Sequence, residues 1–272
     1  MVGDMVQASH DPQRCLVRAV PQGVRLELGR IDGPRFVAVT GLAFEARIVA
    51  GPGVTVVCGG GQLELRRSLD AAIRKGCSGV LSFGIAGGVS PHLRPGACVV
   101  ARTIISGQTR YPSDSAWAKS LIGMLRRRSS PRSIRLQRVS LGDIVGADAP
   151  VATVEAKRRL YQDTGAVAVD MESHVAARIA VEHGVPFAAI RVITDPFDRT
   201  LPPAALVATG ADGSVNFQAI LRSLAEHPGQ VPMLLRLALD SWAARRALAP
   251  SRRFLGPNLG LPEPAEALLD VA

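Results

Sequence analysis

Short apolar runs alternate with amphipathic helical patterns from about residue 35 to residue 195. Apolar runs bounded by Gly or polar residues predict buried strands, at 36–41, 54–58, 79–83, 97–105, 134–140, 166–169 and 187–194. Apolar residues that recur every three to four positions predict helices, at 63–74, 115–128, 154–163 and 171–183. The alternation predicts an α/β fold, a three-layer α/β/α sandwich with a central mixed sheet.

The same patterns divide the chain into four parts. Residues 1–33 carry no clear periodicity and are predicted to be an irregular N-terminal extension, followed by the α/β domain at 34–205. Residues 206–249 form a C-terminal helical extension with helices at 216–226 and 231–249. Residues 250–272 are rich in Pro and Gly, which predicts a flexible tail.

Composition narrows the class of protein. Of the 272 residues, 47% are hydrophobic and 20% charged, which is typical of a globular chain. No apolar run approaches the roughly 18 residues that span a bilayer, and the N-terminus has no apolar signal region, so we expect a cytoplasmic protein. The net charge of +9 suggests nucleic acid, but 4% aromatics and the lack of a recognition motif rank that function last.

Cysteine and histidine spacing gives no support for a metal site or a disulfide framework. The cysteines have no C-x-x-C spacing, and the five histidines form no H-x-x-x-H pattern. We therefore expect buried thiols and no metal. We also expect no cofactor, because the glycines at 59–61 and 84–88 do not have the G-x-G-x-x-G spacing of a dinucleotide-binding fold. The cysteines are Cys15, Cys58, Cys77 and Cys98.

Three segments carry candidate chemistry. The first, SFGIAGG at 82–88, places a glycine-rich turn at 84–88 directly after a strand, where it either cradles a ligand or packs tightly. In the second, VDMES, Asp170 and Glu172 follow a short strand. Glu172 can bind vicinal sugar hydroxyls beside Met171, whereas Asp170 either shares that role or caps the next helix.

The third segment ends the apolar strand IRVITD at Asp195. Burial there raises the pKa of a carboxyl group, which suits a general acid near neutral pH. An Asp that only forms a turn is the alternative.

In this order and spacing, SFGIAGG, VDMES and VITD resemble the purine nucleoside phosphorylase and methylthioadenosine/adenosylhomocysteine nucleosidase family. The resemblance implies a nucleoside phosphorylase-like catalytic domain, with Ser82 and Gly84 in the substrate-binding glycine segment. It implies that Glu172 binds the ribose hydroxyls with Met171 beside it, and that Asp195 protonates N7 of the departing purine. By the same resemblance, Glu45 in GLAFEARI activates water; a surface helix residue is the alternative.

The resemblance leaves hydrolysis and phosphorolysis as alternatives, with inorganic phosphate as co-substrate in the second case. Hexameric phosphorylases hold phosphate with an Arg and a Ser near the glycine segment, where this chain has Ser82 and Ile85. Arg47, Arg191 or a neighbouring subunit are alternative holders, and hydrolysis is favoured. Near the base, the family's stacking aromatic corresponds to Pro150, and Val151 offers backbone contacts.

A narrower resemblance, to the hopanoid-associated phosphorylases, rests on VTGLAFEA, LSFGIAGGVSPHLRPG, YPSDSAW and LPPAAL. It implies adenosylhopane as the substrate and adenine as a product, while the wider family resemblance implies a homo-oligomer. The C-terminal helices combine apolar residues, including Trp242 and Phe254, with paired arginines. They either contact the inner membrane surface and its hopanoid lipid or pack on protein. A non-catalytic purine-nucleoside-binding protein at the membrane is the alternative function.

Overall fold

The computed structural model describes residues 35–59, 61–127, 137–208 and 213–262. The described strands are β1 (Phe36–Thr40), β2 (Val54–Cys58), β3 (Gly79–Gly88), β4 (Ala97–Ser106), β5 (Thr109–Pro112), β6 (Gln137–Gly146), β7 (Ala168–Asp170) and β8 (Phe187–Asp195). The described helices are α1 (Ala43–Val49), α2 (Gly61–Arg74), α3 (Ser115–Arg127), α4 (Val154–Thr164), α5 (Ser173–Glu182), α6 (Pro203–Leu206), α7 (Phe217–Glu226) and α8 (Val231–Phe254).

The strands form one mixed sheet, which confirms the predicted α/β class. Its order is β2-β1-β3-β7-β6-β4-β5, and β8 pairs in parallel with β3 and antiparallel with β4. Since β3, β7, β6, β4 and β8 are hydrogen-bonded in succession, these five strands close a ring. Strands paired on both edges have apolar residues on both faces, and β8 is buried along its whole length.

Helices cover the sheet on both faces. On one face, α2 and α5 bury Leu69 and Ile179 against sheet residues such as Val39. On the other, α3 and α8 bury Trp117 and Leu248. Both layers are continuous apolar clusters, and burying each such side chain contributes about 1.5–3 kcal/mol.

The predicted turn at 84–88 is wrong. Strand β3 continues through these glycines to Gly88, with an irregularity between Ala86 and Gly87. The glycines allow other side chains to lie close to the backbone of β3, and they do not reverse the chain. A Cβ on Gly84 would lie 2.5 Å from an oxygen of Glu45, and one on Gly87 would lie 3.2 Å from an oxygen of Asp195.

The C-terminal segment also differs from the expectation. Helix α8 runs through the predicted boundary at 249/250 and ends at Phe254. Leu255 and Leu259 are then buried in the core, and the indole N–H of Trp117 donates to the carbonyl of Leu259 at 2.9 Å. Residues 250–262 are therefore packed, since their leucines fill the layer beside α3. The predicted extension at 1–33 lies outside the described residues, as do 263–272.

Strand β5 and helix α1 were not predicted, because each is too short to show a period. Within the described ranges, no helix is long and apolar enough to cross a membrane.

Candidate active site

One cavity of about 550 Å³ opens where β1, β3, β7 and β8 end. Six of the eight predicted site residues line it: Glu45, Pro150, Val151, Met171, Glu172 and Asp195. The other two, Ser82 and Gly84, lie behind the lining: Ser82 is fully buried and bonded to Arg191, and Gly84 packs on the Glu45 carboxyl group. The fold thus brings together residues that are up to 150 positions apart in the chain, from Glu45 to Asp195.

Glu45 is fixed by the backbone. The amides of Gly41 and Leu42 donate to its Oε2 at 3.0 and 2.9 Å, and the amide of Ile85 donates to Oε1 at 2.7 Å. Its side chain is buried, and burial raises the pKa of the carboxyl group. The charge of Arg191 and the three hydrogen bonds from backbone amides oppose this rise. A carboxylate held rigidly with a raised pKa is suited to accept a proton.

Glu172 lies beside a buried arginine. Arg191 on β8 donates from Nε to Asp170 and from Nη2 to the hydroxyls of Ser82 at 2.7 Å and Ser173 at 3.1 Å. Its Nη2 lies 3.5 Å from Oε2 of Glu172. The pKa of Glu172 is raised to about 7: burial is the largest cause, Arg191 opposes the rise, and Asp170 adds to it. Asp170 also accepts from the amide of Ser173 at 3.1 Å, so it caps the first turn of α5 as well.

Asp195 ends β8 and faces a buried lysine. Lys157 on α4 donates from Nζ to Oδ2 of Asp195 at 2.7 Å and to the carbonyls of Pro196 and Arg199, each at 2.9 Å. The hydroxyl of Thr194 lies 3.4 Å from Oδ1. Burial raises the pKa of Asp195, while the charge and hydrogen bond of Lys157 lower it.

The cavity has a polar rim and an apolar wall. At the rim, the amide of Gln62 donates to Oδ1 of Asp148 at 2.6 Å, next to Pro150 and Val151. The apolar wall comes from the segment after β8, from α6 and from α8; its members are Leu201, Ala205, Leu206 and Leu237. A ligand with a polar end and a large apolar end matches this division.

Arg191 and Lys157 are the two residues whose roles the motifs do not indicate. For Arg191 the available signal is a charged residue inside an otherwise apolar strand, which the sequence indicates only as an alternative phosphate holder. Lys157 falls on the same helix face as Leu160 and Tyr161, and its burial depends on a tertiary contact with β8. Among the described residues, no group of His, Cys, Asp and Glu is arranged to hold a metal ion.

A family model described as the phosphorylase superfamily matches residues 8–226. The chain belongs to the phosphorylase superfamily. The superfamily match includes the cavity residues from Glu45 to Asp195 and stops before α8 begins. No curated protein is similar enough to count as a relative.

Several solved structures share this superfamily fold. Futalosine hydrolase of Helicobacter pylori is 17% identical, with a TM-score of 0.53 over 71% of this chain and 97% of that one. A 5′-methylthioadenosine/S-adenosylhomocysteine nucleosidase of Colwellia psychrerythraea, in complex with adenine, is 15% identical with a TM-score of 0.52 over 71% and 96%. The Neisseria meningitidis nucleosidase, in complex with methylthio-immucillin-A, is 19% identical with a TM-score of 0.54 over 80% and 97%. At these identities, the likeness shows the fold.

Proposed function

We propose that the chain is an enzyme that hydrolyses the N-glycosidic bond of an adenine nucleoside. The observation that carries the proposal is that Glu45, Glu172 and Asp195 line one cavity, each with an environment that raises the pKa of its carboxyl group. Membership of the phosphorylase superfamily supports an N-glycosidic bond as the bond that is cleaved. The adenine bound to the Colwellia protein supports a purine.

In the proposed reaction, Glu45 accepts a proton from a water molecule whose oxygen forms a bond to C1′ of the sugar. The C1′–N9 bond breaks, its electron pair passes into the purine, and the proton of Asp195 moves to N7. Ionised Glu172 accepts hydrogen bonds from the sugar hydroxyls, and Met171 covers the sugar's apolar face. The proton on Glu45 then leaves to solvent, and Asp195 takes one up. General acid–base help of this kind contributes about 10²–10⁴ to a rate.

The charge of the cavity favours water over phosphate as the nucleophile. Its described lining contains five carboxylate residues and neither Lys nor Arg; the five are Glu45, Asp148, Asp170, Glu172 and Asp195. Arg191 is buried behind the lining; its Nε and Nη2 donate to Asp170, Ser82 and Ser173, and its Nη1 has no hydrogen-bond partner among the described residues. Arg47 is exposed on α1, outside the described lining. Like charges repel an anion, and the described lining itself offers no cation to bind phosphate.

For the substrate, we propose adenosylhopane, with release of adenine during formation of the hopanoid side chain. The base would lie against Pro150 and the backbone of Val151. The large apolar group of the bound substrate would extend out of the cavity along the wall formed by Leu206 and Leu237. The partly exposed side chain of Leu206 connects that wall with the outer surface of the protein.

An exposed apolar stripe on α8 supports peripheral contact with the inner membrane surface. Val231, Leu235, Leu239 and Trp242 follow one another at four, four and three positions, which places them on one helix face. All four are exposed, and the guanidinium of Arg246 stacks 4.5 Å from the Trp242 ring. The positive charge of Arg246 beside the stripe is attracted to an anionic lipid surface, whereas an isologous dimer through the stripe would bring this charge close to its copy. Homo-oligomerisation through another face stays a prediction.

The proposal is tested by measuring free adenine released from adenosylhopane, methylthioadenosine and adenosine, each with and without phosphate. We expect release to be equal in both conditions and fastest with adenosylhopane. Asp195→Asn, Glu45→Gln and Glu172→Gln should each lower kcat/KM by about 10² or more, whereas Asp163→Asn on the exposed face of α4 should not.

Two outcomes would contradict the proposal. Strict dependence on phosphate would make the reaction phosphorolysis. Tight binding of the nucleoside with no release of adenine would favour the alternative of a non-catalytic binding protein.

A further inference from the structure

Lys157 is a lysine with no solvent exposure, near the start of α4. Its three ammonium hydrogens have three acceptors: Oδ2 of Asp195 and the carbonyls of Pro196 and Arg199. A buried ammonium group is costly unless it is paired and fully hydrogen-bonded. Lys157 meets both conditions, so the fold stabilises its ammonium group in the pair with Asp195.

This pairing makes the two oxygens of Asp195 unequal. Oδ2 is bound at 2.7 Å by Lys157, while Oδ1 has a long contact of 3.4 Å with the hydroxyl of Thr194. Asp195 also lines the cavity. Oδ1 is therefore the oxygen with capacity for a ligand.

The other charged groups around Asp195 are balanced. Arg199 from the segment after β8 pairs with Asp240 of α8. Asp198 lies 3.5 Å from the guanidinium of Arg94, and Arg236 of α8 faces Asp240. Of these groups, Lys157 makes the direct hydrogen bond to the Asp195 carboxyl group, so it dominates the local field.

We infer that Lys157 is a positioning residue for the proton transfer: it holds Oδ2 of Asp195, directs Oδ1 and its proton to N7 of the purine, and stabilises the carboxylate that remains. The inference rests on the proposed function. The proton passes from Oδ1 to N7 as the C1′–N9 electron pair enters the base, and the product carboxylate is left paired with the Lys157 ammonium. No other reactant is needed.

Burial and the pairing with Lys157 have opposite effects on the pKa of Asp195. Burial raises the pKa of Asp195, so that the acid form persists, and Lys157 lowers this pKa. A general acid works best when its pKa is near the operating pH. Lys157 therefore keeps a deeply buried acid strong enough to donate.

The test is the pH profile of kcat/KM for Lys157→Met, which keeps an unbranched side chain one atom shorter and removes the charge. The acid form of Asp195 is required, so the rate falls as pH rises through its pKa. Without Lys157 that pKa rises, and the alkaline limb should move up by about 1–3 pH units. The plateau of kcat should fall by about 10²-fold, because the carboxylate formed has no counter-ion. Lys119→Met, at an exposed lysine of α3, is the matched control and should leave the profile unchanged.

A residue that only anchors the loop through Pro196 and Arg199 would lower the rate without moving the alkaline limb, and that result overturns the inference. Lys157→Ala supplies a second readout: ethylamine added to the solution should restore activity in proportion to its concentration. No restoration in a variant that melts like the wild type also overturns it.

Binding of 9-deazaadenine, whose N7 carries a hydrogen, separates this inference from the proposed function. The N7–H of the ligand donates to ionised Asp195, so its affinity should fall as pH falls through the pKa of Asp195. In Lys157→Met this loss of affinity should occur at a higher pH. Calorimetry across pH measures the affinity of the wild type and of Lys157→Met. If the wild type binds no 9-deazaadenine and releases no adenine, the proposed function fails. If the wild type does both and Lys157→Met shows the same pH dependence, only the inference fails.

Discussion

Among single residues, Glu172 is the carboxyl group from which we expect a pH dependence of activity near neutrality. Burial raises its pKa to about 7, with Arg191 opposing and Asp170 and Glu45 adding to the rise. In the proposed function, the ionised carboxylate accepts hydrogen bonds from both sugar hydroxyls, and the protonated form would lose part of that capacity. We therefore expect kcat/KM to decline as pH falls through about 7, mainly through a higher KM, when adenine release is followed across pH.

Glu172→Gln is the control for this assignment, because an amide does not ionise. The variant should have a low rate and lose the component of the acidic limb near neutrality. An acidic limb identical to that of the wild type would assign the ionisation to another group, with Glu45 next in line.

Among the elements, α8 and the turns after it are part of the core. Leu259 has no exposed surface and packs beside α3, where its carbonyl accepts from Trp117. Leu259→Ala should lower the free energy of unfolding by about 2–5 kcal/mol, measured by urea denaturation. Pro257→Ala, at an exposed position two residues earlier, is the matched control and should change it by less than about 0.5 kcal/mol. Equal stability of both variants would support the flexible tail that the Pro and Gly content suggests.

For the whole molecule, the two helical layers differ in what they present to solvent. The outer face of α8 carries the stripe of Val231, Leu235, Leu239 and Trp242. We expect the protein to co-sediment with vesicles that contain phosphatidylglycerol, and less with pure phosphatidylcholine. Because surface charges are screened by salt, binding should weaken as ionic strength rises.

The double variant Leu239→Glu/Trp242→Glu should lose vesicle binding and keep its activity on a water-soluble nucleoside. Val181→Glu, an exposed apolar position on α5 in the opposite layer, should bind vesicles like the wild type. If the double variant instead changes a concentration-dependent dimer and vesicle binding is absent, the stripe is a contact between copies of the chain.

Sequence reasoning located most of the sheet and most of the cavity lining. Strands such as β1 and β8 are nearly continuous apolar runs because both of their faces are buried. Glu45, Glu172 and Asp195 stand out because each follows or ends such a strand, and strand ends open to ligands. Strand β5 has only four residues, and α1 has seven, too few for a period to identify them.

The sequence by itself determined the α/β class and the order of carboxylates along the chain, since both depend on local pattern. Only the tertiary structure decided which partners surround them. Lys157 meets Asp195 across 38 positions, and Arg191 meets Ser82 across 109, contacts that no local pattern encodes. The glycines after Phe83 read as a turn, yet they extend β3, because the close approach of Glu45 and Asp195 leaves no room for a Cβ.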